Sequence, residues 1–313
     1  MVAYATNLLS QLPLSLNSPN PFAVLTPGSS TSNVDVVPYI PLSGAPSCPI
    51  DGPMSCHNSP PGDGDSCCFV HPAGRLLLTQ FWDREIHGGA DEDWTIHGLW
   101  HVPTTRKTGR GKSANRLHRP DLCDGSYDSY CSLAPRFDNI TELLEHHGQK
   151  ELLGLMNRYW VANRGSNSHL WAHEYNKHAT CINTLAPSCY GDAYAAGVEV
   201  VDYFTRAVSL FRLLDTYTVL QRAGIAPSPA RRYPLADVVA ALERFSGGRV
   251  VVRCSGAMRD TLHEVWYVYF VQGSLQSGEM VPAQDLGDRG DAGNCFPWVR
   301  YLPKVEKQSS GSR

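Results

Sequence analysis

Ten cysteines constrain the fold of this 313-residue chain more than any other feature of its sequence. They are Cys48, Cys56, Cys67, Cys68, Cys123, Cys131, Cys181, Cys189, Cys254 and Cys295. The set is even and contains no Cys-x-x-Cys motif, which favours disulfides in an oxidising compartment over zinc or thioredoxin-like sites. Cys67 and Cys68 are adjacent and can hardly bridge each other in ordinary disulfide geometry. Each of these two should therefore join a different part of the chain.

The length and composition predict one large or two small domains with a substantial core, since 42% of the residues are hydrophobic. No apolar run approaches the roughly 20 residues of a membrane span, so we expect no membrane-spanning segment. The net charge of −3 identifies no partner. A nucleic-acid-binding chain of this balance must concentrate its positive charge locally.

The two ends of the chain differ in composition from its middle. Residues 1–46 are rich in Pro, Ser and Asn and carry one charged side chain, Asp35, which is typical of a leader or a flexible extension. A signal peptide is not clearly visible, because the apolar stretch at 8–14 is interrupted and no basic residue precedes it. Residues 305–313 form a short C-terminal tail. We therefore expect the folded domain at residues 47–304.

Helical and alternating hydrophobic patterns are mixed along this domain, which predicts an α+β fold with an antiparallel β-sheet core flanked by helices. The expected strands are residues 76–82, 93–99, 249–254 and 262–271. The expected helices are residues 139–160, 192–214 and 234–245. The first is expected to be interrupted at Gly148 and Gly154, and the second to begin at an Asp192 cap. Glu264 alternates with apolar residues and is interpreted as the polar face of its strand.

Residues 173–178, with the sequence His-Glu-Tyr-Asn-Lys-His, concentrate ionisable side chains. In a helix, His173, Lys177 and His178 would project from one face, and Glu174 would share it. Burying several ionisable groups together disfavours their charged forms unless each has a partner. The apolar residues on either side indicate a half-buried helix rather than a solvated one. Such a cluster indicates a functional site.

The spacing of the two histidines argues against a metal site. A zinc-protease helix carries His-Glu-x-x-His, which sets two ligands side by side one turn apart. Here the second histidine follows five residues after the first, which rotates it about 100° too far. Lys177 would also bring a positive charge toward the cation. Metal-free proton transfer remains, for which histidine supplies both the acid and the base.

A second segment, Trp-Thr-Ile-His-Gly-Leu-Trp at residues 94–100, supplies a complementary histidine. Its alternating pattern predicts a short strand that ends at Gly98 and carries His97 on one face. Thr-Ile-His-Gly-Leu-Trp, followed later by His-Glu-Tyr-Asn-Lys-His-Ala-Thr-Cys, closely resembles the two active-site segments of the ribonuclease T2 family. The resemblance runs from about Cys48 to Lys304, and the final Tyr-Leu-Pro-Lys is similar to the fungal branch.

The resemblance implies an endoribonuclease that cleaves single-stranded RNA through a 2′,3′-cyclic phosphate to 3′-phosphate ends, without a metal or other cofactor. His97 and His178 would be the acid–base pair; which is the first base stays open, because the two exchange roles in the second step. Lys177 and Glu174 would stabilise the phosphorane, whose extra charge develops only in the transition state. His173 would hold the phosphate.

The resemblance also implies a disulfide-stapled fold. The implied pairs are Cys48–Cys68, Cys56–Cys123, Cys67–Cys189, Cys131–Cys181 and Cys254–Cys295. The fourth pair would tether the end of the catalytic helix. A glycosylation sequon at Asn139 fits a secreted protein. We therefore expect a secreted or vacuolar glycoprotein that is monomeric.

The base-recognition segment departs from the family pattern. In the family, Pro-Asp directly follows the Trp of His-Gly-Leu-Trp, and a Cys-Asp-Gly-Ser/Thr-Tyr run comes next. Here Trp100 is followed by His101, and Pro-Asp reappears only at Asp121, before Tyr127. Residues 101–119 are interpreted as a basic insertion, either a solvated loop or a cationic arm for RNA phosphates. If Asp121 and Tyr127 fold back beside Trp100, the base site survives; otherwise base preference is altered.

Two other functions stay open on sequence alone. One is a binding or cytotoxic effector protein of the same fold whose role does not depend on catalysis, against which the intact His97, Glu174, Lys177 and His178 argue. The other is a zinc hydrolase, against which the histidine spacing argues. An RNA-degradation assay with and without a chelator separates all three.

Overall fold

A computed structural model describes residues 47–58, 65–72, 74–85, 90–101, 129–286 and 293–305. All of them belong to one compact unit. The strands are β1 Arg75–Phe81, β2 Thr95–His101, β3 Tyr233–Pro234, β4 Val250–Ser255, β5 Thr261–Gln272, β6 Glu279–Pro282 and β7 Trp298–Val299. The α-helices are α1 Ile140–His146, α2 Lys150–Tyr159, α3 Asn167–His178, α4 Val198–Leu213, α5 Thr216–Arg222 and α6 Leu235–Ser246. This is the α+β architecture that the sequence predicts.

Five strands form one antiparallel sheet in the order β2-β1-β5-β4, with β6 paired to the end of β5, while β3 pairs with β7 apart from it. Alternate side chains of the central strands face opposite sides. On one side Gln80 donates to the Leu214 carbonyl at 3.1 Å, and Tyr267 shares a 2.8 Å hydrogen bond with Thr216. That side faces α4 and α5, which leaves the other side of β1, β2 and β5 to build the site.

Helix α4 begins later than the sequence predicts. Residues Pro187–Ala193 form 3-10 turns, and the α-helix starts at Val198 rather than at Asp192. Gly197 precedes it with φ at 95°, a left-handed conformation that no α-helix can run through. A Cβ at Gly197 would also lie 2.9 Å from the side chain of Leu143. A capping acid upstream could not override this backbone break.

The helical stretch predicted at 139–160 divides into α1 and α2 at one glycine and not at the other. Gly148 has φ at 71° and separates the two helices, as predicted. Gly154 lies inside α2 without interrupting it, so that part of the prediction was wrong. An isolated glycine costs a helix only about 1 kcal/mol relative to alanine, which the surrounding packing offsets.

Four of the five implied disulfides are present: Cys48–Cys68, Cys67–Cys189, Cys131–Cys181 and Cys254–Cys295. Adjacent Cys67 and Cys68 do bridge to two different parts of the chain. Cys123, the expected partner of Cys56, lies outside the described residues. So do residues 1–46, Asp121, Tyr127 and residues 102–119 of the expected insertion. None of the helices in the described ranges is both long and apolar enough to cross a membrane.

Candidate active site

Strand β2 carries His97 at an irregularity of the sheet. The register between β1 and β2 shifts at His97, which has no residue paired opposite it. The Thr79 hydroxyl stabilises this β-bulge. It accepts a hydrogen bond from the Gly98 N–H at 3.0 Å and donates one to the Gly98 carbonyl at 2.9 Å. A bulge shifts the alternation of a strand. The rings of His97 and Trp100, three positions apart, therefore meet on one side with centroids 4.4 Å apart.

The backbone of β2 is fixed from its outer side, where a sheet edge leaves polar groups without a strand partner. Trp160 donates its indole N–H to the His97 carbonyl at 2.9 Å. Tyr203 of α4 donates its hydroxyl to the Leu99 carbonyl at 2.8 Å. Both carbonyls are thus satisfied on the outer side, while pairing with β1 continues to His101.

Gly98 was predicted to end the strand, and it does not. Its role is to let other groups come close. A Cβ on Gly98 would collide with the carboxylate of Glu174 and the indole of Trp100. The glycine of the motif is therefore explained by side-chain approach rather than by a chain turn.

The second group of predicted site residues lies on helix α3, and the sequence predicts a helix there. Ser166 caps its N-terminus by accepting a backbone N–H at 3.2 Å. Glu174 and His178, one turn apart, are 2% and 1% exposed at their side chains. His173 is exposed and Lys177 half-buried. The sequence predicted that these four side chains would share one face of the helix. Instead they form two neighbouring rows: Glu174 and His178 are buried beneath the site, and His173 and Lys177 lie at its rim.

The carboxylate of Glu174 is the point at which the site converges. The Nε2 atoms of His97 and His178 lie 3.8 Å from its Oε1 and Oε2, respectively. The Nε2 atom of His173 lies 3.9 Å from Oε1. Trp100 donates its indole N–H to Oε2 at 2.5 Å. Residues distant in sequence thus place three imidazoles around one buried acid.

Burial sets the protonation of these groups. It raises the pKa of Glu174 above its ordinary value, an effect opposed by His97 and by the Trp100 hydrogen bond. Burial, and then the neighbouring His101, hold the pKa of His178 well below its ordinary value. Burial and Lys177 lower the pKa of His173. The site therefore favours a protonatable carboxyl and a neutral His178.

A second acid, Glu264 of β5, was misjudged from the sequence. It is buried, not on a polar strand face, and its Oε1 lies 2.8 Å from the Nδ1 of His97. Phe81 stacks on the face of that imidazole, with ring centroids 4.0 Å apart. The available signal was that Trp266 and Val268, on the same side of β5, are apolar, so an acid beside them must have a buried partner.

A fourth histidine, His101, was missed as a site residue. His101 was expected to open a flexible insertion, but it is the last residue of β2 and is completely buried. Its Nδ1 lies 3.2 Å from the Nδ1 of His178. Nothing in the local sequence signals this contact, because it depends on how α3 packs on β2.

Trp100, the expected base-stacking residue, lies inside the cluster of side chains around Glu174. Its ring is nearly parallel to that of His178, with centroids 5.3 Å apart and planes 18° apart, and it meets Trp266 edge-on at 5.8 Å. The Nε2 atom of His178 beneath it is buried and makes no hydrogen bond with any residue that the structure describes. Among the residues that the structure describes, no group of three or more His, Cys, Asp or Glu is arranged to hold a metal ion.

Comparison with known proteins identifies the family. The profile of the ribonuclease T2 family matches residues 73–283. The chain belongs to the ribonuclease T2 family. It is 40% identical to ribonuclease T2 of Aspergillus oryzae, over 85% of this chain and 87% of that one. It is also 40% identical to ribonuclease Trv of Hypocrea rufa, over 82% and 98%.

A solved structure agrees with the sequence relatives. The crystal structure of Actibind, a T2 ribonuclease, superposes with a TM-score of 0.68 at 39% identity, covering 82% of this chain and 98% of that one. The resemblance inferred from the two motifs is thereby confirmed. The protein is a ribonuclease T2-type endoribonuclease, and RNA is its substrate.

Proposed function

We propose that this T2 ribonuclease cleaves single-stranded RNA by metal-independent acid–base catalysis, first to a 2′,3′-cyclic phosphate and then to a 3′-phosphate. One observation carries the proposal: the Nε2 atoms of His97 and His178 each lie 3.8 Å from a different oxygen of Glu174. Two imidazoles from separate elements therefore approach one small polar site, as proton transfer at both the attacking and the leaving oxygen requires. The nucleophile is the 2′-hydroxyl, so the chemistry selects RNA over DNA.

The surroundings of the two histidines support different roles for them in the first step. The pKa of His178 is lowered by burial, so it enters neutral and accepts the proton of the 2′-hydroxyl. His97 has the Glu264 carboxylate 2.8 Å from its Nδ1, a hydrogen bond that a carboxylate strengthens, and we assign to its Nε2 the delivery of a proton to the leaving 5′-oxygen. The roles exchange when water hydrolyses the cyclic phosphate.

The remaining groups act on the phosphate. Burial raises the pKa of Glu174, which favours a protonated carboxyl able to donate a hydrogen bond to a phosphoryl oxygen. Lys177 supplies positive charge as the phosphorane forms. His173, exposed at the rim, holds the phosphate on entry.

Substrate entry requires a change at Trp100. Because its indole lies over His178 and bonds Glu174, RNA reaches Nε2 of His178 only after the indole turns away. We assign the released indole the base-stacking role, with Asp121 and Tyr127 as base contacts; stacking tolerates every base. The disulfides support an extracellular or vacuolar location, and we propose that the enzyme acts there as a monomer.

Product analysis on a dinucleotide tests this proposal. With and without a chelator, the cyclic phosphate should accumulate first and then give the 3′-phosphate at an unchanged rate. The His97→Phe protein, purified in parallel, controls for contaminating nuclease. Products ending in 5′-phosphate, or activity lost to the chelator and restored by a divalent metal, would contradict it.

A further inference from the structure

His101 contacts a catalytic residue without belonging to the proposed machinery. Its Nδ1 lies 3.2 Å from the Nδ1 of His178, and the two rings meet edge-on with centroids 5.0 Å apart. His101 is 0% exposed and His178 is 1% exposed. The hydrogen bond is therefore shielded from water and cannot readily be exchanged for one to solvent.

A hydrogen bond between two imidazole nitrogens accommodates one hydrogen. One Nδ1 must carry it and the other must offer a lone pair, because two N–H groups would repel each other. A neutral imidazole carries its single N–H on one nitrogen only. Whichever ring donates from Nδ1 therefore has a free lone pair on its own Nε2.

We propose that His101 is a positioning residue that selects the catalytically competent tautomer of His178. The Nδ1 of His101 accepts the hydrogen on Nδ1 of His178, which leaves the lone pair of His178 on Nε2. That atom is the one directed toward Glu174, at 3.8 Å. The inference rests on the proposed role of His178 as the first proton acceptor.

The same contact gives a protonated His101 an inhibitory effect. A proton on Nδ1 of His101 makes that atom a donor, so Nδ1 of His178 must become the acceptor. The hydrogen of neutral His178 then resides on Nε2, and the ring cannot take a proton from the 2′-hydroxyl there. One proton bound to His101 thus has the same effect on the first step as one bound directly to His178.

Other charges around His178 come from three elements. Facing it or its carboxylate neighbour are His97 of β2, His173, Glu174 and Lys177 of α3, and Glu264 of β5. None of these has a hydrogen bond to Nδ1 of His178 among the contacts of the described residues, whereas His101 does. In the family motif a proline follows the tryptophan, so this pairing is a property of the present chain and not of the motif.

Two variants separate hydrogen bonding from ring volume. His101→Asn retains a polar atom at the δ position that can donate or accept but does not titrate. His101→Phe retains the ring and removes the hydrogen bond. Both are compared with the parent enzyme by kcat and KM on a dinucleotide across pH, and by ¹⁵N NMR of the His178 ring.

In the parent enzyme, we expect the NMR spectrum to show His178 with its hydrogen on Nδ1. His101→Phe should lower kcat by roughly 10-fold or more, as expected for a buried donor left unpaired, with KM nearly unchanged because His101 does not touch substrate. His101→Asn should keep most of kcat at neutral pH and move its acidic limb to lower pH, since no proton on residue 101 can then enforce the inactive tautomer.

An Nε2–H tautomer of His178 in the parent enzyme, or an acidic limb of kcat that His101→Asn does not move, would overturn the assignment. Those outcomes hold even if His101→Phe fails to fold. The parent reaction is checked separately: if His178→Phe retains turnover, the proposed function itself fails, whereas a dead His178→Phe with an unmoved acidic limb in His101→Asn removes only the role of His101.

Discussion

His97 and His178 present the same atom to the same carboxylate at the same distance, yet their surroundings are opposite. The His97 side chain is 24% exposed and has an acid, Glu264, behind its Nδ1. The His178 side chain is 1% exposed and has another imidazole, His101, behind its Nδ1. The group bonded to one ring nitrogen decides what the other nitrogen can do. The difference between an acid and a base is thus set on the far side of each ring.

The fold creates this difference through two kinds of element. His97 is the extra residue of a β-bulge, which directs it across the open side of the sheet toward Glu264 on β5. His178 ends helix α3, where Trp100 covers it and the Cys131–Cys181 bridge ties down the next turn. The strand position leaves His97 partly exposed to water, while the buried end of α3 disfavours a charged ring at His178.

The largest expected effect is the loss of either histidine. His97→Phe and His178→Phe should each lower kcat by about 10²–10⁴-fold, because each removes one proton transfer while nearly keeping the ring volume. His169→Phe, at an exposed histidine of the same helix, is the matched control and should leave kcat unchanged. Steady-state kinetics with circular dichroism provide the measurement, and near-normal turnover in either folded variant would refute its role.

Removing the acid behind His97 should have a smaller effect. Glu264→Gln keeps a hydrogen-bond acceptor at that place but loses the negative charge of the carboxylate that contacts His97. A charged hydrogen bond contributes about 1.5–3 kcal/mol, so kcat should fall roughly 10–100-fold with KM little changed. Glu279→Gln, at an exposed acid of β6, is the control. Equal kinetics for the two variants would mean that Glu264 is structural only.

The smallest effect concerns stability. The pKa of His178 is lowered in the folded protein from an ordinary value of 6.5, so below that pH the unfolded chain binds more protons. The free energy of unfolding should therefore decrease as the pH is lowered, and this residue should contribute up to about 1.4 kcal/mol per pH unit. Glu174, with its raised pKa, acts in the opposite sense at lower pH. Denaturant titrations at several pH values from 7 to 5 give the unfolding free energy of each variant. This free energy should change less steeply with pH for His178→Phe than for His97→Phe. An identical pH dependence in the two variants would contradict a buried, neutral ring at His178.

The two motifs predicted His97, Glu174 and His178 as site residues, and the structure brings these three side chains together. The partners behind the rings were not predictable in that way. Glu264 reaches His97 only through the bulge and the β1–β5 pairing, and His101 reaches His178 only through the packing of α3. Contacts between distant segments depend on register and packing, which local patterns do not encode.

Element boundaries followed the same rule. The helix break at Gly148 was predictable because its cause, the left-handed backbone of the glycine, is local. The continuation of α2 through Gly154 was not, because it depends on how the rest of that helix packs. The strand beyond Gly98 continues in register with β1, and its outer carbonyls accept hydrogen bonds from Trp160, just after α2, and from Tyr203 of α4. Gly197 delays α4 although a capping acid precedes it.

The assignment of His97 as the acid and His178 as the base of the first step is tested most directly with a substrate whose leaving group needs no proton. Uridine 3′-(4-nitrophenyl phosphate) releases nitrophenolate, so an enzyme lacking its general acid should still cyclise it. We expect His97→Phe to recover to within roughly 10-fold of the parent enzyme on this substrate, while His178→Phe stays at least about 10²-fold impaired. Rescue of His178→Phe with no rescue of His97→Phe, or equal behaviour of the two, would contradict the assignment.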